Sequence, residues 1–172
     1  MDLQMPVMAE EDLQAPREAA SDEPRTPARL LEYKRSAFVA FPAHTTVGLI
    51  ECPPVIEVPG APYYCRGLIA WQDRLLPLLD LNTLLRAYQE PNESPIGHVL
   101  VLAWQSAPGR PLDYGAVCAR SLVRMIEVAD SQQCELPGDS DLWPWISLSC
   151  FEHEGHCVPV LDTARLFGEP QP

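Results

Sequence analysis

A chain of 172 residues, 47% of them hydrophobic, is long enough for one domain or for two small lobes sharing a core. Acidic residues outnumber basic ones 24 to 12, a formal net charge of -12, which argues against nucleic-acid phosphates and anionic membrane surfaces, both of which demand clustered Lys and Arg. No apolar run approaches the ~20 residues that span a bilayer, and the start Met1-Asp2-Leu3-Gln4, soon followed by Glu10-Glu11-Asp12, lacks the basic and long apolar regions of a secretory signal.

Residues 1–28 hold Pro6, Pro16, Pro24 and Pro27 among Glu, Asp, Ala and Ser. Such a segment buries too little apolar surface to offset the cost of ordering it and predicts a disordered acidic tail, with order beginning near Leu30. From Ala37 the pattern is short and β-rich. Ala37 to Phe41 and Thr46 to Ile50 read as a hairpin around Pro42-Ala43-His44, and Cys52-Pro53-Pro54 breaks the second strand. Val58-Pro59-Gly60-Ala61-Pro62 is a loop, because prolines remove ladder donors. Gly67 to Trp71 and Arg74 to Leu79 form a second hairpin turning at Gln72-Asp73, followed by a short helix, Asn82 to Tyr88, and a loop, Gln89 to Gly97.

The order then repeats. His98 to Trp104 and Asp113 to Ala119 are strands joined across Ala107-Pro108-Gly109, and Leu122 to Glu127 follows. The linker Leu136-Pro137-Gly138-Asp139 leads to a last hairpin, Ile146 to Phe151 and His156 to Leu161, and a last helix, Thr163 to Phe167. Self-similarity makes the organisation explicit: Pro77, Asp80 and Leu84 recur as Pro159, Asp162 and Leu166, all 82 positions on (159 − 77, 162 − 80, 166 − 84). Each copy reads as a strand with a proline, an Asp that caps the next turn, and a Leu one helical turn further on. The expected fold class is therefore all-β with short helices, as small barrels or a sandwich, in two related lobes: a first at about 37–90 and a second at about 97–168, within an ordered domain of 29–172.

Six cysteines occur with no CxxC pair in an apolar-rich chain, the pattern of reduced thiols rather than a disulfide scaffold. Cys150, His153, His156 and Cys157 have zinc-like spacing. A turn at Glu154-Gly155, however, pairs His153 with His156 and sends Cys150 and Cys157 to the opposite face, so four ligands do not converge. The same alternation separates Cys157 from His156 and spoils a nucleophilic set with Asp162. No glycine-rich phosphate loop and no Gly-x-Ser-x-Gly appears, so neither cofactor nor enzyme is expected. Trp71 and Arg74 pair across the first tip, where a cation–π contact would serve either recognition or hairpin packing. Trp143-Pro144-Trp145 would anchor a partner or plug a barrel end, and the need of small barrels to fill their interiors favours the plug.

Arg66-Gly67-Leu68-Ile69-Ala70-Trp71, a turn, and Arg74-Leu75-Leu76-Pro77-Leu78-Leu79-Asp80-Leu81 together resemble the central signature of the CheW-like family. Val58-Pro59-Gly60-Ala61-Pro62 resembles its apolar-Pro-x-Ala-Pro loop, and Val158-Pro159-Val160-Leu161-Asp162 its closing strand. The resemblance runs from about Ala37 to Phe167. It implies two five-stranded SH3-like barrels around a shared hydrophobic centre, and a cytoplasmic, non-catalytic adaptor that couples chemoreceptors to a CheA-type histidine kinase. Relatives serve swimming chemotaxis, type IV pilus twitching or other outputs. The implied partners are the kinase regulatory domain, the chemoreceptor signalling tip and other CheW-like domains, with Leu68, Trp71, Gln72, Asp73 and Arg74 as the contact region. Gln72-Asp73 stands where the family usually carries Arg-Gly, and the segment between Val47-Gly48 and Val58-Pro59 is shorter than usual. The chain thus resembles a divergent member. Two alternatives remain open: a small metal- or redox-responsive domain using the Cys150/His153/His156/Cys157 hairpin, and an accessory subunit that has lost kinase coupling.

Overall fold

The computed structural model describes residues 23–86 and 94–168. Its elements in chain order are β1 (Arg25–Lys34), β2 (Ala37–Pro42), β3 (Thr46–Glu51), β4 (Val55–Ile56), β5 (Cys65–Trp71), β6 (Arg74–Leu79), α1 (Leu81–Leu84), β7 (His98–Gln105), β8 (Leu112–Ala119), β9 (Arg124–Ala129), α2 (Trp143–Ile146), β10 (Ser147–His153), β11 (His156–Leu161) and α3 (Thr163–Phe167). Two sheets hold the strands, in the orders β10-β11-β2-β1-β9 and β3-β7-β8-β6-β5-β4. The two-lobe, mainly β architecture is the one the repeat implies.

The lobes do not follow one another along the chain, however. β1 and β2 leave the first half to pair with β9 and β11 of the second, while β7 and β8 leave the second to pair with β3 and β6 of the first. Boundaries at 37–90 and 97–168 therefore cut across both sheets. The repeat accounts for this exchange, because each half sends its first two strands into the sheet that holds the other half's later ones. The two parallel junctions match as well, Leu78 opposite Ala116 in one sheet and Val160 opposite Ala40 in the other.

Three local expectations change. β1 takes in Arg25, Thr26, Pro27 and Ala28, residues whose composition reads as tail; residues 1–22 lie outside the described residues. Pro27 is tolerated there near the exposed start of the strand, ahead of the buried run Leu30-Leu31. The Ala37–Phe41 and Thr46–Ile50 segments are both strands but not a hairpin: a 3-10 turn at Ala43–Thr45 carries the chain from one sheet to the other. The first helix ends at Leu84, four residues short of the expected Tyr88, which lies outside the described residues, as do 89–93 of the expected loop.

Strands exchanged between halves are buried on both faces, and their sequences show it. Val99-Leu100-Val101-Leu102-Ala103 is an unbroken apolar run rather than an alternating one. Leu100 and Leu102 join Leu31, Val39, Phe41, Val117, Leu161 and Leu166 in the core between the sheets, whereas Val99 and Val101 join Ile69, Leu76 and Leu78 inside one lobe. Leu30, Ala40, Phe151 and Val158 fill the other lobe.

Each copy of the repeat closes in the same way. Asp80 accepts the Thr83 N–H at 3.2 Å and Asp162 the Arg165 N–H at 3.2 Å, each stopping a strand and starting a helix. Gly67 has φ 127 at a bulge, and a Cβ there would run into the Ile56 carbonyl. The signature glycine is thus what lets β4 approach β5.

Candidate partner-binding face

Strand alternation splits the apolar run of β5 and β6 between two environments. Ile69, Leu76 and Leu78 point inward and are at most 2% exposed. Leu68, Ala70, Leu75 and Pro77 point outward, with Leu68 opposite Pro77 and Ala70 opposite Leu75. β4 extends this outer face by placing Ile56 opposite Leu68. Ile56 is 50% and Leu75 58% exposed. Polar residues ordinarily occupy the outer face of a half-buried strand pair; a contiguous apolar one marks a binding surface.

The expected contact residues are divided by the same alternation. Leu68 lies on the outer face, half-buried. Trp71 lies on the inner one: it packs against the lobe interior, its ring 5.4 Å from Tyr114. A Cβ on Gly48 would already meet the Trp71 Nε1 at 3.0 Å. Arg74 does pair with Trp71 across the turn, but its guanidinium sits over the Tyr114 ring at 4.7 Å. The cation–π partner is therefore Tyr114, a residue of β8, and Trp71 closes the end of the lobe. Gln72 and Asp73 are exposed at the tip, with Gln72 in the left-handed region at φ 51.

At the other end of this hairpin Arg66 ties the loops together. Its guanidinium donates to Asp80 Oδ2 at 3.3 Å and to the Ser94 carbonyl at 2.7 Å, and the Asp80 side chain is only 5% exposed. One carboxylate thus caps α1 and anchors the residue preceding the signature glycine.

The second copy places different chemistry on the equivalent surfaces. His153 pairs with His156, while Cys150 pairs with Pro159 and Cys157 with Glu152, so the thiols and imidazoles face opposite ways. His156 packs edge-on against Phe38 at 5.0 Å, and Asp162 serves as a helix cap. Among the described residues no group of three or more His, Cys, Asp or Glu is placed to hold a metal ion. The residue that sequence spacing missed is Cys134, whose Sγ lies 3.5 Å from that of Cys150. Burial pushes the Cys150 thiol up to about 12, with Cys134 adding to the effect. The Trp-Pro-Trp motif divides too. Trp143 is 1% exposed and donates to Asp139 Oδ1 at 2.7 Å, plugging the interior, while Trp145 is 72% exposed.

A family model described as the CheW-like domain matches residues 34–169. The chain belongs to the CheW-like family. Among solved structures, the scaffolding protein TtCheW from Thermoanaerobacter tengcongensis is similar with a TM-score of 0.66 at 9% identity, covering 86% of this chain and 95% of that one. At that identity the likeness is one of fold. No curated protein matches the sequence. Family and fold support a chemotaxis scaffold or adaptor and are consistent with a protein that works without catalysis. Among the described residues, no helix is long and apolar enough to cross a membrane.

Proposed function

We propose that the chain is a cytoplasmic adaptor that couples chemoreceptor signalling tips to a CheA-type histidine kinase, with the outer face of β4, β5 and β6 as its kinase-docking surface. The observation that carries this reading is the contiguous apolar strip Ile56, Leu68, Ala70 and Leu75, left open beside strands whose inner faces are already filled. Burying such a strip against a complementary apolar surface is favourable by roughly 25 cal/mol per Å². Edge strand β4, only two residues long, leaves main-chain groups for pairing beside it. The exposed tip residues Gln72, Asp73 and Arg74 form the rim of this surface, and Trp71 holds the tip in place from behind.

The test is co-purification of the full chain with the regulatory domain of a CheA-type kinase and with a receptor signalling tip from the same source. Binding to both, with kinase binding lost in Leu75→Asp, supports the proposal; binding to neither overturns it. A second reading, an accessory subunit uncoupled from the kinase, draws on the tip itself. Arg74 is folded back over Tyr114, which leaves no arginine in place of the family's Arg-Gly at Gln72-Asp73. Receptor or CheW-like partner binding without kinase binding is the outcome that selects it.

A further inference from the structure

Three thiols share one surface of the second copy. Cys150 lies on β10 and Cys157 on β11, both on the face opposite His153 and His156. Cys134 comes alongside through a single bridge, Gln133 opposite Phe151, and its N–H donates to the Cys150 carbonyl at 3.0 Å. The two sulfurs are already in contact at 3.5 Å. Directly paired residues on antiparallel strands have Cα atoms about 5.5 Å apart when hydrogen-bonded, inside the 4.4–6.8 Å range of disulfides, so rotation about the two Cα–Cβ bonds is the main movement that closure to about 2.05 Å requires.

We propose that Cys134 and Cys150 are a dithiol modification site, oxidised to an intramolecular disulfide by a low-molecular-weight disulfide. Half-buried Cys134 is the entry point, since Cys150 is only 3% exposed. The Cys134 thiolate attacks one sulfur of the external disulfide, breaking its S–S bond and expelling the first small thiolate, which takes up the proton Cys134 gave to water. Cys150 then attacks the Cys134 sulfur of the mixed disulfide. The second small thiolate leaves with the Cys150 proton. One S–S bond is lost and one gained, two protein thiols are oxidised, and the external disulfide is reduced to two thiols.

Cys157, exposed on the same surface, also interacts with Cys134, and the 3.5 Å contact between the Cys134 and Cys150 sulfurs favours the proposed pair. Cys65 lies close enough to Cys118 to act on its thiol, but the Cys65 Sγ points to the Gly67 carbonyl at 3.5 Å, while Cys52 is exposed and its Sγ points to the Gly97 carbonyl at 3.5 Å rather than to a second thiol. Among the described residues, the backbone pairing of the 133–134 segment with β10 is an isolated bridge, beside which the Gln132 side chain donates to the Glu152 carbonyl at 3.1 Å. A covalent link there would take the place of the two-residue strand β4 that the first copy has at the same point.

The experiment uses the full chain and oxidised glutathione as the probe, followed by non-reducing peptide mass spectrometry. The expected result is a Cys134–Cys150 cross-linked peptide two hydrogens lighter than its reduced components, reversed by dithiothreitol, with slower hydrogen exchange at the Cys134 amide. In Cys134→Ser the cross-link is lost and Cys150 stays a free thiol. Glutathione adducts on Cys52 and Cys157 with Cys134 and Cys150 both still reduced overturn the proposal. So does a Cys134–Cys157 link in place of the expected one. Mapping of the wild-type chain decides the matter even if the serine variant does not fold.

Discussion

The outer face of the first copy and the outer face of the second are the same surface built twice. Ile56 and Leu68 are paired across β4 and β5, and Leu75 follows on β6; Cys134, Cys150 and Cys157 take the corresponding places in the other sheet. Inside, the copies remain close. Leu31 is opposite Val39 and Leu102 opposite Gly115, and both leucines are fully buried in the shared core. The difference teaches that core positions are held by volume, whereas the outer faces answer to what they meet in solution. One face is apolar, and the other carries thiols.

The largest contrast concerns the two capping carboxylates. Asp80 caps α1 and also holds Arg66, with a side chain 5% exposed, while Asp162 caps α3 with a side chain 22% exposed and an exposed partner in Arg165. Asp80→Ala removes the cap and leaves a largely buried guanidinium without that carboxylate, an expected loss of about 3 kcal/mol. Asp162→Ala loses the cap alone, about 1 kcal/mol, because its surface ion pair adds little. Urea unfolding of the two variants checks this; equal losses would mean that Arg66 gains nothing from Asp80.

The second contrast is one of binding. Leu75→Asp places a charge in the middle of the apolar face and is expected to weaken kinase-domain binding roughly 30-fold, the ~2 kcal/mol of a central interface residue. Cys157→Asp, at the equivalent place in the second copy, should leave that affinity unchanged. Isothermal titration of both variants separates them, and equal weakening would place the interface elsewhere.

The third contrast is packing over the exchanged strands. Phe167 stacks on Trp104 at 4.7 Å and covers Gly115, where a Cβ would collide with its ring. Gly115→Ala is therefore expected to cost about 2 kcal/mol by overpacking, whereas Val39→Ala at the equivalent place costs a similar amount by leaving a void. Thermal unfolding gives both numbers, and Gly115→Ala combined with Phe167→Leu should recover part of the loss.

Much of this was legible in the sequence, for a definite reason. Pro77, Asp80 and Leu84 recur in register with Pro159, Asp162 and Leu166, so each hairpin tip and each capped helix could be placed from its copy. Local pattern did not show that β2 and β3 part company at a three-residue turn, because a crossing and a hairpin use the same turn residues. Pro27 and the neighbouring charges hid the start of β1, whose order comes from β9, about a hundred positions away. The pairing of Trp71 with Arg74 was correct, yet the side chain that captures the guanidinium belongs to β8. Cys134 was missed since a one-residue bridge leaves no strand pattern, although laying Cys134 against Ile56 would have found it.

The smallest contrast lies at the tips themselves, where Gln72-Asp73 stands opposite Glu154-Gly155. Gln72 and Glu154 have nearly the same backbone, φ 51 and 49, but in the second turn the next residue, Gly155, is also left-handed at φ 79 and in the first turn Asp73 is not. A β-carbon is penalised at the glycine position and tolerated at the other. Gly155→Ala should therefore lower stability by about 1 kcal/mol, while Asp73→Ala should stay within about 0.5 kcal/mol of the wild type. Paired denaturation curves test the difference. If Asp73→Ala is neutral for folding but changes kinase affinity, the residue at that place is kept for its contact with a partner. If it alters neither, the tip serves only to join β5 to β6, and the outer apolar face alone must supply the specificity of docking.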